Sequence, residues 1–300
     1  MTRGAYAVHM DPAQIGPHRT AVALAAEIDA GLRSRATPER AERERAYLKS
    51  EITHYGVTVP QTRAAVTAAL RGLGLGHDTL GHDTLGHDEL IAAATLLWAA
   101  PEPGPEPDLE PDLEAEPVHE PVHEPVHERR AAAIALLEAR SALLGPDDLA
   151  LLERFLRESH TWALVDDLAG SVVGPLIERA ADATPERAGE LTDTLDRWAA
   201  DEDFWIRRSA LLAHLLPLRA GRGDFAHFGR IADGMLDERE FFVRKAIGWV
   251  LRDTSRTRPE LVFEWILPRA ARASGLTVRE AIRRLPEAQQ AEVRAARAAS

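Results

Sequence analysis

Three bulky aromatic residues, Trp162, Trp205 and Phe242, stand near the starts of alternate predicted helices, 43 and 37 residues apart. A period of about 40 residues is the length of one repeating pair of helices, which cannot bury its own apolar faces alone. Such pairs stack on their neighbours, and alternate helices then line one concave side of a superhelix. Downstream of Arg129 the periodicity agrees, with helices predicted at 129–143, 147–158, 161–181, 185–200, 203–219, 225–236, 240–255, 259–271 and 277–285. Thr184-Pro-Glu and the box from Thr277 to Glu280 read as start signals. Upstream, helices are predicted from His18 to Leu32, from Thr37-Pro38-Glu39 to about His54, over Gln61–Gly72, and along the apolar run ending at Trp98. Nothing reads as a strand. The expected fold is all-α, an α-α superhelix (solenoid) forming one domain over 18–300 after a flexible tail at 1–17.

That domain has an interruption. Glu-Pro-Asp-Leu occurs at 106–109 and 110–113, then Glu-Pro-Val-His at 116–119, 120–123 and 124–127. A proline every few residues forbids a helix, and the density of acids leaves little to bury. Residues 99–127 are therefore expected to be a disordered or polyproline-like loop grown by tandem duplication. A second stutter, Gly76-His-Asp-Thr-Leu80, recurs at 81–85 and, with one change, at 86–90; its first two copies read as loop or irregular helix.

The insert also explains the charge. A net charge of −12 argues against a polyanion partner, yet ten of those negative charges come from carboxylates between Glu102 and Glu128, where there is no Lys or Arg. Residues 201–300 carry eighteen Arg or Lys against fourteen Asp or Glu, a balance of +4. The absence of cysteine excludes disulfides and thiolate metal sites. No window approaches 18 apolar residues without charge, so no membrane span is expected, and Met1–Pro17 has no secretory core segment. His119, His123 and His127 recur every four residues, and His77, His82 and His87 every five. On a helix the first set could share a metal, but a Pro two residues before each of them removes that helix. No metal site is expected there.

The stretch from Glu240 to Arg252 sorts into two faces at 100° per residue. Phe242, Val243, Ala246, Ile247, Val250 and Leu251 form an apolar face; Lys245, Gly248, Trp249 and Arg252 lie opposite, with Arg256 in line. An indole among cations suits a surface that grips a polyanion; the plainer alternative is a Trp covered by the neighbouring helix with solvated Arg and Lys around it. Trp162 and Asp166, four apart, share a helix face beside the stripe of Leu164, Val165, Leu168 and Val172. Asp166 is thereby placed near a groove or, in the plainer alternative, as a solvated or Arg-paired acid. Asp167 turns about 100° away from it. Arg207 and Arg208 diverge by the same angle, so at most one of them lines a groove.

FFVRKAIGWVLRD at 241–253 resembles the signature helix of the bacterial DNA alkylation repair enzymes, the HEAT-like alkylpurine DNA glycosylases of AlkD type. WALVD at 162–166, FWIRRSAL at 204–211 and, more weakly, YLKS at 47–50 with Gly56, Pro60 and Arg63 add to the resemblance, which spans about 20–285 in the family's order. It implies that Asp166, Trp162 and Trp249 are catalytic, that Arg208 grips a phosphate, and that Tyr47 lies near DNA; Lys245 and Arg252 join it from the cationic face. Arg207 is then expected to be solvated, and Trp205 to be a structural anchor. The sequence departs from the family pattern at Thr161, Ala163 and Thr58.

The chemistry implied is hydrolysis of the N-glycosidic bond of cationic N3- or N7-alkylated purines. The charged base leaves without a general acid, and a carboxylate with two π faces stabilises an oxocarbenium-like sugar. The family is known for leaving the lesion stacked. The expectation is therefore a cytoplasmic, monomeric DNA glycosylase acting on double-stranded DNA, without cofactor, metal or membrane. The alternative is a non-catalytic HEAT-like scaffold that binds DNA or protein.

Overall fold

The computed structural model of the chain describes residues 17–76, 84–101, 124–181 and 185–299. Its contacts divide the chain into two compact units, Met1–Leu143 and Leu144–Ser300, where the sequence reading expects one domain. Among the described residues the architecture is all-α, as expected, and the one extended pairing is an isolated bridge between Thr53 and Val126. No described helix is long and apolar enough to cross a membrane.

The first unit contains α1 (Pro17–Arg33), α2 (Pro38–Leu48), α3 (Val59–Gly72), α4 (His87–Trp98) and α5 (His127–Ala139). Helices α1, α3, α4 and α5 pack on one another through Leu24, Ile28, Val66, Leu90, Leu97 and Leu136. Burying each such side chain contributes about 1.5–3 kcal/mol. Thr58 starts α3 with a capping box to Gln61, and Pro60 takes a position where no N–H is needed. Helix α2 is different: its sequence, PERAERERAYL, is charged on every side, and it buries no residue.

Helix α2 stops at Leu48 rather than near His54, because Lys49 turns left-handed at φ 50°. The chain then runs extended to Gly56, whose φ of +76° and close approach to the Thr37 carbonyl exclude a side chain. Thr53 N–H donates to the Pro125 carbonyl (3.1 Å), and His127 N–H donates to the Thr53 carbonyl (2.9 Å). The end of the expected loop is thus packed structure: Val126 is buried and His127 opens α5. Residues 102–123, with His119 and His123, lie outside the described residues, as do the tail at 1–16 and residues 77–83, with His77 and His82. His87 opens α4.

The second unit contains α6 (Leu149–Ser159), α7 (Trp162–Asp167), a π-helical turn (Leu168–Val173) and α8 (Gly174–Ala181), the last three forming the single predicted run of 161–181. Then come α9 (Pro185–Ala199), α10 (Phe204–Leu212), α11 (Leu215–Arg219), α12 (Phe225–Gly234), α13 (Phe241–Thr254), α14 (Pro259–Ile266), α15 (Gly275–Ala281) and α16 (Glu287–Ala298). The predicted helix 203–219 is two helices: Pro217 has no N–H to donate, and in a continuous helix its ring would clash with the Ala213 carbonyl. The cap of α15 is Ser274, which accepts from Thr277 N–H, not Thr277 itself. Helix α16 has no counterpart in the sequence reading; its single buried residue, Val293, leaves no apolar stripe to detect. Helices α7, α10, α13 and α15 contact one another in that order, the alternate-helix layer that the spacing of Trp162, Trp205 and Phe242 implies.

Candidate nucleic-acid interface

Asp203 starts α10 by accepting the Trp205 N–H at 2.8 Å, and the turns that follow carry Arg208 inward, where it is 1% exposed. Its Nε donates to Asp166 Oδ1 and its Nη2 to Asp166 Oδ2, both at 2.7 Å, a two-pronged ion pair between α7 and α10. Nη1 donates to the Phe242 carbonyl at the start of α13, and the guanidinium sits 5.7 Å from the Phe242 ring centroid. One side chain therefore joins three consecutive layer helices. The hydrogen bonds of Arg208, which the resemblance assigns to a phosphate, turn inward to Asp166 and the Phe242 carbonyl.

Asp166 keeps an edge in solvent, with its side chain 13% exposed. Burial pushes its carboxyl above the usual range. The Arg208 hydrogen bond and charge, and then the charge of exposed Lys245, pull it back, while Asp167 adds a push upward. Asp167 is engaged elsewhere, accepting from Ser171 Oγ at 3.1 Å. Trp162 is half-buried one turn before Asp166. The plainer alternative, an Arg-paired acid, describes part of this geometry.

Arg207 is not solvated. It donates to Glu238 (2.9 Å) and to the Asp201 and Glu202 carbonyls (2.7 and 2.8 Å). Trp205 is a half-buried packing residue, with ring centroids 4.5 Å from Phe204 and 4.9 Å from Phe242. On α13 the apolar face is buried as expected, except that Phe242 is only half-covered. The opposite face is less open than expected. Gly248 is buried because α15 crosses there: a Cβ would stand 2.6 Å from Glu280 Cβ and 2.9 Å from the Thr277 carbonyl oxygen.

Trp249, half-buried beside that crossing, lines a hollow of about 530 Å³ with Arg219, Arg252, Asp253, Arg256, Arg283 and Arg284. Five guanidinium groups face one carboxylate. Asp253 is buried and engages Arg219, with Arg252 Nε at 3.5 Å and Arg256 Nε at 3.8 Å. Arg252 is also paired with Glu280. The excess positive charge suits a multiply charged anion, and the indole offers a flat face beside it. Sequence reading found Trp249, Arg252 and Arg256 but missed Arg219, Arg283 and Arg284. The Arg-Arg pair was visible, but only the α13–α15 packing brings it to Trp249.

In the first unit, Tyr47 is 73% exposed on α2, in a shallow hollow with Arg40, Arg43 and Glu44.

A model of the DNA alkylation repair enzyme family matches residues 107–285. The chain belongs to that family. A solved structure described as a predicted DNA alkylation repair enzyme from Enterococcus faecalis shares the fold, at 20% identity and a TM-score of 0.60, covering 84% of this chain and 98% of the other. A comparison with curated proteins finds no match.

Proposed function

We propose that this member of the family is a monofunctional DNA glycosylase, hydrolysing the N-glycosidic bond of cationic N3- or N7-alkylated purines in duplex DNA as a HEAT-like cytoplasmic monomer without cofactor. The observation that supports it is the pairing, within one unit, of a part-exposed carboxylate and a Trp-lined arginine hollow. The alkylated base already carries positive charge, so it leaves with the bonding electrons as water adds to the sugar carbon. Asp166 faces the positive charge growing on the sugar, with Trp162 and Trp249 offering π faces to it. Arg208 is a positioning residue, holding the Asp166 carboxylate in one orientation. Phosphate contacts fall to the Trp249 hollow, chiefly Arg252 and Arg256, with Lys245 and Tyr47 as further DNA contacts. The family's habit of leaving the lesion stacked is carried over with this reading.

The test is release of 7-methylguanine from alkylated duplex DNA. Asp166→Asn should lower it by roughly 10²–10³, the usual worth of a preorganised electrostatic group. The buried Arg208 loses its counter-charge in that variant, so melting and DNA binding are measured in parallel. Activity equal to the parent in a folded Asp166→Asn protein removes the carboxylate from the mechanism. DNA binding without release by the parent itself would favour the non-catalytic scaffold.

A further inference from the structure

Outside that interface, three ligand-type side chains converge in the first unit. Glu44 of α2, His54 of the extended segment and Glu128 of α5 place one ligand atom each within 4.8 Å of one another. His54 is 9% exposed, and neither of its ring nitrogens has a hydrogen-bond partner among the described residues. A buried imidazole with both nitrogens idle is costly unless something takes a lone pair. Its plane is fixed by His127, stacked at 4.5 Å and 8°.

Glu128 is 1% exposed and oriented by the main chain. Its Oε1 accepts from Gly56 N–H (2.6 Å) and Val57 N–H (3.1 Å), and its Oε2 from Tyr55 N–H (2.8 Å). A carboxylate oxygen has two lone pairs, so Oε2 retains acceptor capacity. Glu44 is held by Arg40 one turn away.

We propose that Glu44, His54 and Glu128 form a binding site for a first-row divalent cation of zinc type. Two carboxylates and an imidazole are a borderline-hard set that suits such an ion, whereas Mg²⁺ and Ca²⁺ ask for about six or more oxygen ligands. Zinc bonds of about 2.0–2.2 Å require the three atoms to draw together by about 1 Å, which a side-chain movement of Glu44 on the surface helix supplies. Two carboxylates neutralise the ion, so the buried cluster carries no net charge. The gain is mechanical: α2 buries no residue, and the ion ties it to the 53–57 segment and to α5. The site is independent of the glycosylase reading.

The test uses the full chain, stripped with a chelator and titrated with ZnCl₂ by calorimetry, beside the variants His54→Phe and Glu44→Gln. Phe keeps the stack on His127 but supplies no lone pair; Gln keeps the shape of Glu44 but removes its charge. The parent should show one tight event per chain and melt roughly 5–10 °C higher with saturating Zn²⁺. MgCl₂ should give no such shift. In His54→Phe that event should weaken by at least about 100-fold, and in Glu44→Gln by at least about 10-fold. Weaker heats from histidines elsewhere should be common to all three proteins. Identical isotherms in all three, or a tight event that survives in His54→Phe, overturn the proposal. If His54→Phe does not fold, Glu44→Gln, on the helix without core contacts, decides alone.

Discussion

Glu128 and Asp166 are both carboxylates drawn out of water, and they are held in opposite ways. Three backbone N–H groups clasp Glu128. Main-chain donors cannot swing away, so this acid sets the path of the 55–57 segment. A single guanidinium fork holds Asp166, which keeps one edge in water. A side-chain partner can rearrange when a ligand offers charge of its own, and an open edge can meet that ligand. The contrast separates an acid fixed by the main chain from one whose partner can rearrange, although both are flanked by Arg in the sequence or in space.

The largest effect should come from breaking the first clasp. Glu128→Ala strands three N–H groups in a water-excluded place at about 1–3 kcal/mol each. A loss of about 3–9 kcal/mol should appear as a fall in melting temperature of roughly 10 °C or more. A shift of under 2 °C would mean that the clasp is dispensable.

Arg208 gives the next effect. Arg208→Lys keeps a positive charge but loses the planar fork and the geometry that joins Asp166 to the Phe242 carbonyl, at about 2–3 kcal/mol. Because Arg208 faces inward, the salt dependence of DNA binding should keep the parent's slope. Arg256→Ala, in the hollow beside Trp249, should lower that slope by about 0.9. The opposite assignment of slopes would restore Arg208 as a phosphate contact.

These two residues also show what sequence could reveal. Helix positions followed from apolar periodicity and caps, and they failed where a non-periodic cause acted: left-handed Lys49, Pro217, and α16 with its lone buried Val293. Asp166, Trp162 and Trp249 were visible as residue types on shared helix faces. That Arg208 turns inward was not, because a side chain's partner 42 positions away depends on how α7 meets α10. The packing at 124–127 was hidden by repeats whose last copy, Glu-Pro-Val-His, matches the ones before it letter for letter.

A third buried titratable group carries the comparison to pH. His214 is buried, its Nε2 lacks a hydrogen-bond partner among the described residues, and its ring centroid lies 5.1 Å from that of His227, edge to face. Burial holds its pKa down to about 3, against an ordinary 6.5, and the His227 charge adds to the effect. The ring stays neutral in the fold, while the unfolded chain takes up a proton below pH 6.5. Its contribution to stability is complete above pH 6.5 and drains away as pH falls toward 3. Between pH 7 and pH 5 that amounts to about 2 kcal/mol. Thermal melts at the two values should differ by several degrees, and equal melting temperatures would mean that His214 titrates normally.

The smallest effect belongs to Asp167, and it sharpens the claim on its neighbour. Asp167 follows Asp166 in the chain but points elsewhere, accepting from Ser171 rather than from Arg208. Asp167→Asn keeps an acceptor for that hydroxyl, so stability should change by less than about 0.5 kcal/mol. Removing its charge also removes one of the influences that raise the Asp166 carboxyl. Asp166 should then stay ionised to a slightly lower pH, moving the acidic limb of the base-release profile downward and leaving the rate at neutral pH unchanged. A profile that moves upward would contradict the assignment of the limb to Asp166. A neutral-pH loss as steep as that expected of Asp166→Asn would show that the two carboxylates act together, which the divergence of their side chains on α7 argues against.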